Sequence, residues 1–194
     1  MAYTASTGFR YGKSLLGSQS PMALKIRAGD SKTLTIGDAV RVNTSGLIDL
    51  VGAGNPVLGV IQGLVDENGG NLLALGYTNN TGATLSGDDT VTTASDNSTR
   101  THYIMAEVFI DPAGSLLYYN DSNGTLAQAN LFQLFDVLAA SDQIDQSSAS
   151  DTSGQFQLLV IDPDGDADAS KGLFRVAEPQ LLTHIGNSTA VVAA

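Results

Sequence analysis

Apolar positions in this chain fall in short runs, and most runs are closed by turn-forming residues. In residues 23–29, Leu24, Ile26 and Ala28 lie on one face and Lys25 and Arg27 on the other, the period of a half-buried strand. Two further short strands are expected over 34–51, with Ser45-Gly46 as the turn between them. Gly52, Gly54, Gly59 and Gly63 then surround an apolar strand, a spacing suited to the sharp corners of a small barrel. Residues 102–110 are long and apolar enough for a buried central strand, which Asp111-Pro112 ends.

Past that point, Asn123-Gly124 reads as a hairpin turn. Residues 126–140 read as one short helix, with Leu131, Phe132, Phe135 and Leu138 on its apolar side; Asn130 and Val137 keep a strand plus loop open as the alternative. An exposed acidic loop over 141–154 and two closing strands complete the pattern. The expected fold is all-β: an extended N-terminal arm (1–21), a Gly-rich β-barrel (22–110), a second antiparallel β-rich region with the short helix (111–184), and a C-terminal tail (185–194). The boundary near Asp111 is compatible with two domains or with one shared core.

Composition supports the β reading. Charged residues are 15% of the 194 and glycine supplies 21 of them, so helix formers are scarce and turn formers plentiful. The absence of cysteine removes disulfides, thiol nucleophiles and Cys-ligated metals, and two histidines leave little for a zinc site. No apolar run is long enough for a membrane helix, and the first residues lack the pattern of a secretory signal.

Net charge is -11, which disfavours binding along a phosphate backbone, so no nucleic-acid partner is expected. The charge is unevenly spread. Residues 1–41 hold six of nine bases and two of twenty acids, a local balance of +4, leaving -15 for the remainder. Within the arm, Tyr3, Phe9, Arg10, Tyr11 and Lys13 combine aromatic contact area with positive charge and show no period that would bury them in this chain. They are the candidate partner-contacting residues, and removing residues 2–20 is expected to leave folding intact.

Catalytic constellations are weak. Asp162, Asp164, Asp166 and Asp168 have the alternate spacing of calcium ligands, but Ala167 stands where a calcium loop needs glycine and Leu173 where it needs a bidentate Glu. A solvated hairpin turn is the better reading, with bound Ca²⁺ as the alternative. Gly52–Gly63 lacks the third glycine and following helix of a phosphate cradle, and no GxSxG occurs. His102 and His184 read as structural or exposed residues. No enzyme activity and no cofactor are expected.

The order of short motifs over about 22–180 resembles the capsid decoration, or cement, proteins of tailed bacteriophages. The segments carrying the likeness are Gly37-Asp38-Ala39-Val40, Gly46-Leu47-Ile48, Gly52-Ala53-Gly54 and Asn55-Pro56-Val57-Leu58-Gly59-Val60. Val108 with Asp111-Pro112, and Asp121 to Gly124, follow in the same order. The resemblance implies a non-enzymatic structural virion protein, made in the host cytoplasm, that binds the major capsid protein on the outer capsid surface and stabilises capsomer junctions. It also implies self-association, as a trimer on the shell. The alternatives are another virion structural component, such as a major capsid, spike or tail protein, and a carbohydrate-binding β-module using Tyr118-Tyr119.

Overall fold

The computed structural model describes residues 8–15, 21–72, 80–86, 89–110, 114–138, 142–163, 165 and 169–177. They form three antiparallel sheets. The central sheet has the order β2 (Met22–Arg27), β9 (Ile104–Ile110), β6 (Gly59–Asp66), β4 (Ala39–Val42) and β5 (Ile48–Leu50). An outer five-stranded sheet runs β1 (Arg10–Ser14), β10 (Leu116–Asp121), β13 (Lys171–Val176), β12 (Phe156–Ile161) and β11 (Leu134–Phe135). The small sheet is β3 (Thr33–Thr35), β8 (Thr90–Thr92) and β7 (Thr84–Leu85).

Alternation along the central strands explains the stacking. Ala39, Val57 and Val60 enter one core with Phe135, Phe156, Phe174 and Tyr118 of the outer sheet. Their neighbours Val40, Leu58 and Ile61 enter a second core with Leu34 and Val91 of the small sheet. Successive side chains of a strand point to opposite faces, so the central sheet is buried on both. A bulge in β6, where the register shifts between Ile61 and Gly63, spends one extra residue on Gln62 and lets Ile61 and Leu64 share a face.

Four expectations are corrected. The Gly-rich region does not close into a barrel: its sheet is open, and the bridge Ala28–Ile48 links its two flanks at one point without making a ladder. Among the described residues, no strand pairs with the outer edge of β2. Gly59 serves close strand approach rather than a corner, since a Cβ there would overlap the Phe109 carbonyl of β9.

The helix expected over 126–140 is absent from the described part of that stretch. A 3₁₀ turn at Gln128–Asn130 ends at Leu131, Phe132 takes a left-handed backbone (φ 68°), and β11 follows. Helix periodicity placed Phe132 and Phe135 on one side, whereas Phe135 is fully buried and Phe132 is 66% exposed.

The third correction concerns the arm. Its described residues are not free: β1 pairs with β10, and Phe9 is 1% exposed in the first core, stacked on Phe156 at 4.3 Å between centroids. Gly8 (φ 82°) lies so close to Gly37 that a Cβ would meet its backbone at 2.8 Å, and the Phe9 N–H donates to the Gly37 carbonyl at 2.8 Å. Asn123-Gly124 also joins no paired strands, because β10 pairs with β1 and β13; the 45–46 turn does connect the β4–β5 hairpin.

Candidate functional site

β1 meets the central sheet at β9. Tyr11 meets Phe109 edge to face at 5.9 Å, and the residue opposite Phe109 on β2 is Ala23. Both β1 and β2 are edge strands of their sheets. The two edges differ. β1 is interrupted by a bulge at Gly12 beside exposed Lys13, devices that discourage strand addition, whereas β2 pairs with β9 in regular register from Met22 to Arg27. Met22 and Leu24 are exposed by 58% and 40% on β2, on the face they share with Ile110 and Val108 and opposite the one that Tyr11 meets, and Leu15 after β1 is exposed by 53%. Lys25 is held by Glu107 at 3.2 Å, and Arg27 lies over the Tyr103 ring while donating to the Asn97 and Arg100 carbonyls.

Beside β1 is a recess of about 560 Å³ lined by Phe9, Arg10, Tyr11, Ile36, Gly37, Gln62, Asp89 and Phe109. Aromatic faces supply its walls, and Arg10 and Asp89 put one charge of each sign on its lining. Among the described residues, the buried Gln62 side-chain amide nitrogen has no hydrogen-bond partner. A donor in that state costs roughly 1–3 kcal/mol unless something supplies an acceptor. The β6 bulge is what brings Gln62 there.

The sequence-predicted residues therefore divide. Arg10 and Lys13 are exposed and Tyr11 is half-buried on β1, Phe9 belongs to the core, and Tyr3 lies outside the described residues. Asp162 sits in a turn: it is left-handed (φ 46°), its N–H donates to the Lys171 carbonyl at 2.9 Å, and its carbonyl accepts from Gly165 at 3.1 Å. Asp164, Asp166 and Asp168 lie outside the described residues, as does His184. Among the described residues, no group of three His, Asp or Glu side chains is arranged to hold a metal. Tyr118 is fully buried, so Tyr118-Tyr119 does not form an exposed two-ring platform.

Two titratable arrangements escaped sequence reading. His102 Nδ1 lies 2.5 Å from Glu67 Oε1, a contact that holds the Glu67 carboxyl below its usual range. No described nucleophile contacts this pair. Asp38 is 3% exposed, and desolvation raises its pKa to about 7 despite the opposing hydrogen bond from the Thr35 N–H; the charges of Asp142 and Asp89 add to the rise. Neither the recess nor Phe132 was legible as a surface feature, because both depend on backbone departures, a bulge and a left-handed residue, that no periodicity announces. No protein-family model matches the chain, and no curated protein or solved structure is significantly similar to it.

Proposed function

We propose that this chain is a non-enzymatic structural protein of a tailed-phage particle that docks on the outer face of the capsid shell, with the edge strand β2 as its contact surface. The observation that carries this reading is the exposed Met22 and Leu24 on β2, a strand in regular register whose outer edge has no partner strand among the described residues. An edge of this kind accepts an added strand through its main-chain groups, and neighbouring apolar side chains contribute contact area. The sequence resemblance supplies the partner, the major capsid protein. Stiff stacked sheets suit a clip that bridges shell subunits, and many symmetry-related copies turn modest contacts into strong attachment.

The test is cosedimentation with undecorated shells assembled from the major capsid protein encoded alongside this chain. Wild-type protein should pellet with the shells. A Met22→Asp, Leu24→Asp variant should bind at least about tenfold more weakly, near 1.4 kcal/mol, with an unchanged melting transition. Shells that fail to retain the wild-type chain would sink the proposal.

A further inference from the structure

The outer edge of β2 is open over a short, well-defined stretch. Ala28, directly after the strand, donates its N–H to the Ile104 carbonyl of β9 at 3.0 Å, whereas Gly29 donates away from β9, to the Ile48 carbonyl at 3.0 Å. In an antiparallel pair every second residue turns its N–H and C=O to the same neighbour, and β2 carries no bulge. Met22, Leu24 and Ile26 therefore face β9 with their main-chain groups, and Ala23 and Lys25 turn theirs outward. Among the described residues nothing pairs with those outward groups. Two features bound the stretch: Pro21 has no N–H to offer at one end, and the Ala28–Ile48 bridge takes the edge at the other. Met22, Ala23, Leu24 and Lys25 are all exposed. The strand also lacks a bulge or an internal proline to repel an added strand, and its two bases are engaged within the chain, Lys25 by Glu107 and Arg27 over the Tyr103 ring.

This stretch is its own complement. We infer that two free copies of the chain pair antiparallel through β2, about a twofold axis at Leu24. Met22 to Ile26 of one copy then lies along Ile26 to Met22 of the other. Each Ala23 exchanges main-chain hydrogen bonds with Lys25 of the second copy. Leu24 meets Leu24 and Met22 meets Ile26, on the face where Met22 and Leu24 are exposed and Ile26 packs against the second core. Sliding the copies by two residues is worse in either direction. One slide sets Lys25 directly opposite Lys25, and the other sets Pro21 opposite Lys25 and loses a donor. The two central sheets become one, and because both copies use the same surface the contact is closed at two chains. One edge holds one added strand, so the pair belongs to the free chain and parts before the same edge docks on a shell.

The pairing needs no shell, so its test and the cosedimentation test fail independently. In sedimentation velocity from about 1 µM to 1 mM, the wild-type chain should pass from monomer to dimer and no further. Ala23→Pro removes an outward N–H and leaves the ladder to β9 intact. It should weaken association at least about tenfold while melting within about 2 °C of wild type. Leu24→Lys and Leu24→Glu test the register, since each places like charges together at the twofold axis. Either variant alone should associate at least about tenfold more weakly than wild type, and their equimolar mixture should form a 1:1 heterodimer. A wild-type chain that stays monomeric at the highest concentration, or that grows beyond two chains, would overturn the inference. So would an Ala23→Pro variant that pairs as wild type does, or a mixture that associates no better than its components.

Discussion

Asp38 is the residue at which burial and charge conflict most openly. It opens the turn into β4, where its carboxyl accepts the Thr35 N–H at 2.7 Å and its N–H donates back to the Thr35 carbonyl at 3.1 Å. Burial dominates, and the folded-state pKa near 7 stands well above the ordinary value of 3.8. A group whose folded pKa is raised binds its proton more tightly in the native state. Its contribution to stability is therefore present below about pH 4 and is lost as pH rises through 7. The linkage amounts to on the order of 4 kcal/mol between those limits. Asp30, Glu67 and Asp145 shift the other way through hydrogen bonds from Ser98, His102 and Ser147 respectively, so their effect is lost only as pH falls below the usual carboxylate range. Asp38→Asn keeps an oxygen for Thr35 and removes the titration. Urea unfolding of wild type at pH 5 and pH 8 should show a clear loss at the higher pH, and the Asn variant should show little of it. Parallel pH profiles for the two proteins would refute the assignment.

Strands were legible where one residue type occupied one face. β2 is placed by the alternation of Leu24 and Ile26 with Lys25 and Arg27, and β9 by its apolar density; the two pair from Met22–Ile110 to Arg27–Met105. The stretch after Leu126 misled because its apolar residues satisfy a helix period equally well, and a single left-handed residue, Phe132, redirects them. β1 misled for a different reason. Its aromatic residues lack a period because each meets a different neighbour: Phe9 stacks on Phe156 and meets Tyr118 edge to face, while Tyr11 meets Phe109. Such long-range contacts are invisible to a window along the chain. They also reverse the expectation that residues 2–20 can be removed harmlessly. Phe9→Ala should destabilise the chain by roughly 3–5 kcal/mol in denaturant unfolding, the usual cost of emptying a fully buried phenyl site. Lys13→Ala, exposed on the same strand, should change stability by less than about 0.5 kcal/mol. Equal small effects would mean that β1 is frayed in solution.

At the scale of the whole molecule, the question is whether the halves on either side of Asp111 stand alone. Length and glycine content could not decide it, because the answer lies in which face of β4 and β6 is covered and by what. The first core draws Ala39, Val51, Val57 and Val60 from the first half and Leu116, Phe135, Phe156 and Phe174 from the second. A polar tie reinforces it: the fully buried Gln155 donates through Nε2 to the Gly52 and Asn55 carbonyls at 2.8 and 2.6 Å, and its Oε1 accepts from the Val137 N–H at 2.9 Å. Its amide thus ties backbone groups of the two halves together and supplies the acceptor for the buried Val137 N–H. With one face of the central sheet dependent on the other half, unfolding should be a single cooperative transition, with calorimetric and van't Hoff enthalpies equal. Gln155→Ala should lower stability by about 1–3 kcal/mol, because the buried Val137 N–H loses its acceptor and the part-buried Asn55 carbonyl a donor, while the Gly52 carbonyl keeps the Asn55 N–H and Nδ2. A chain cut to residues 22–110 would expose the apolar face of β4 and β6 and lack Phe9, and should show no sharp melting transition. Two resolved heat-capacity peaks in the intact chain, with a cooperative melt of the 22–110 piece, would instead establish two independently stable domains.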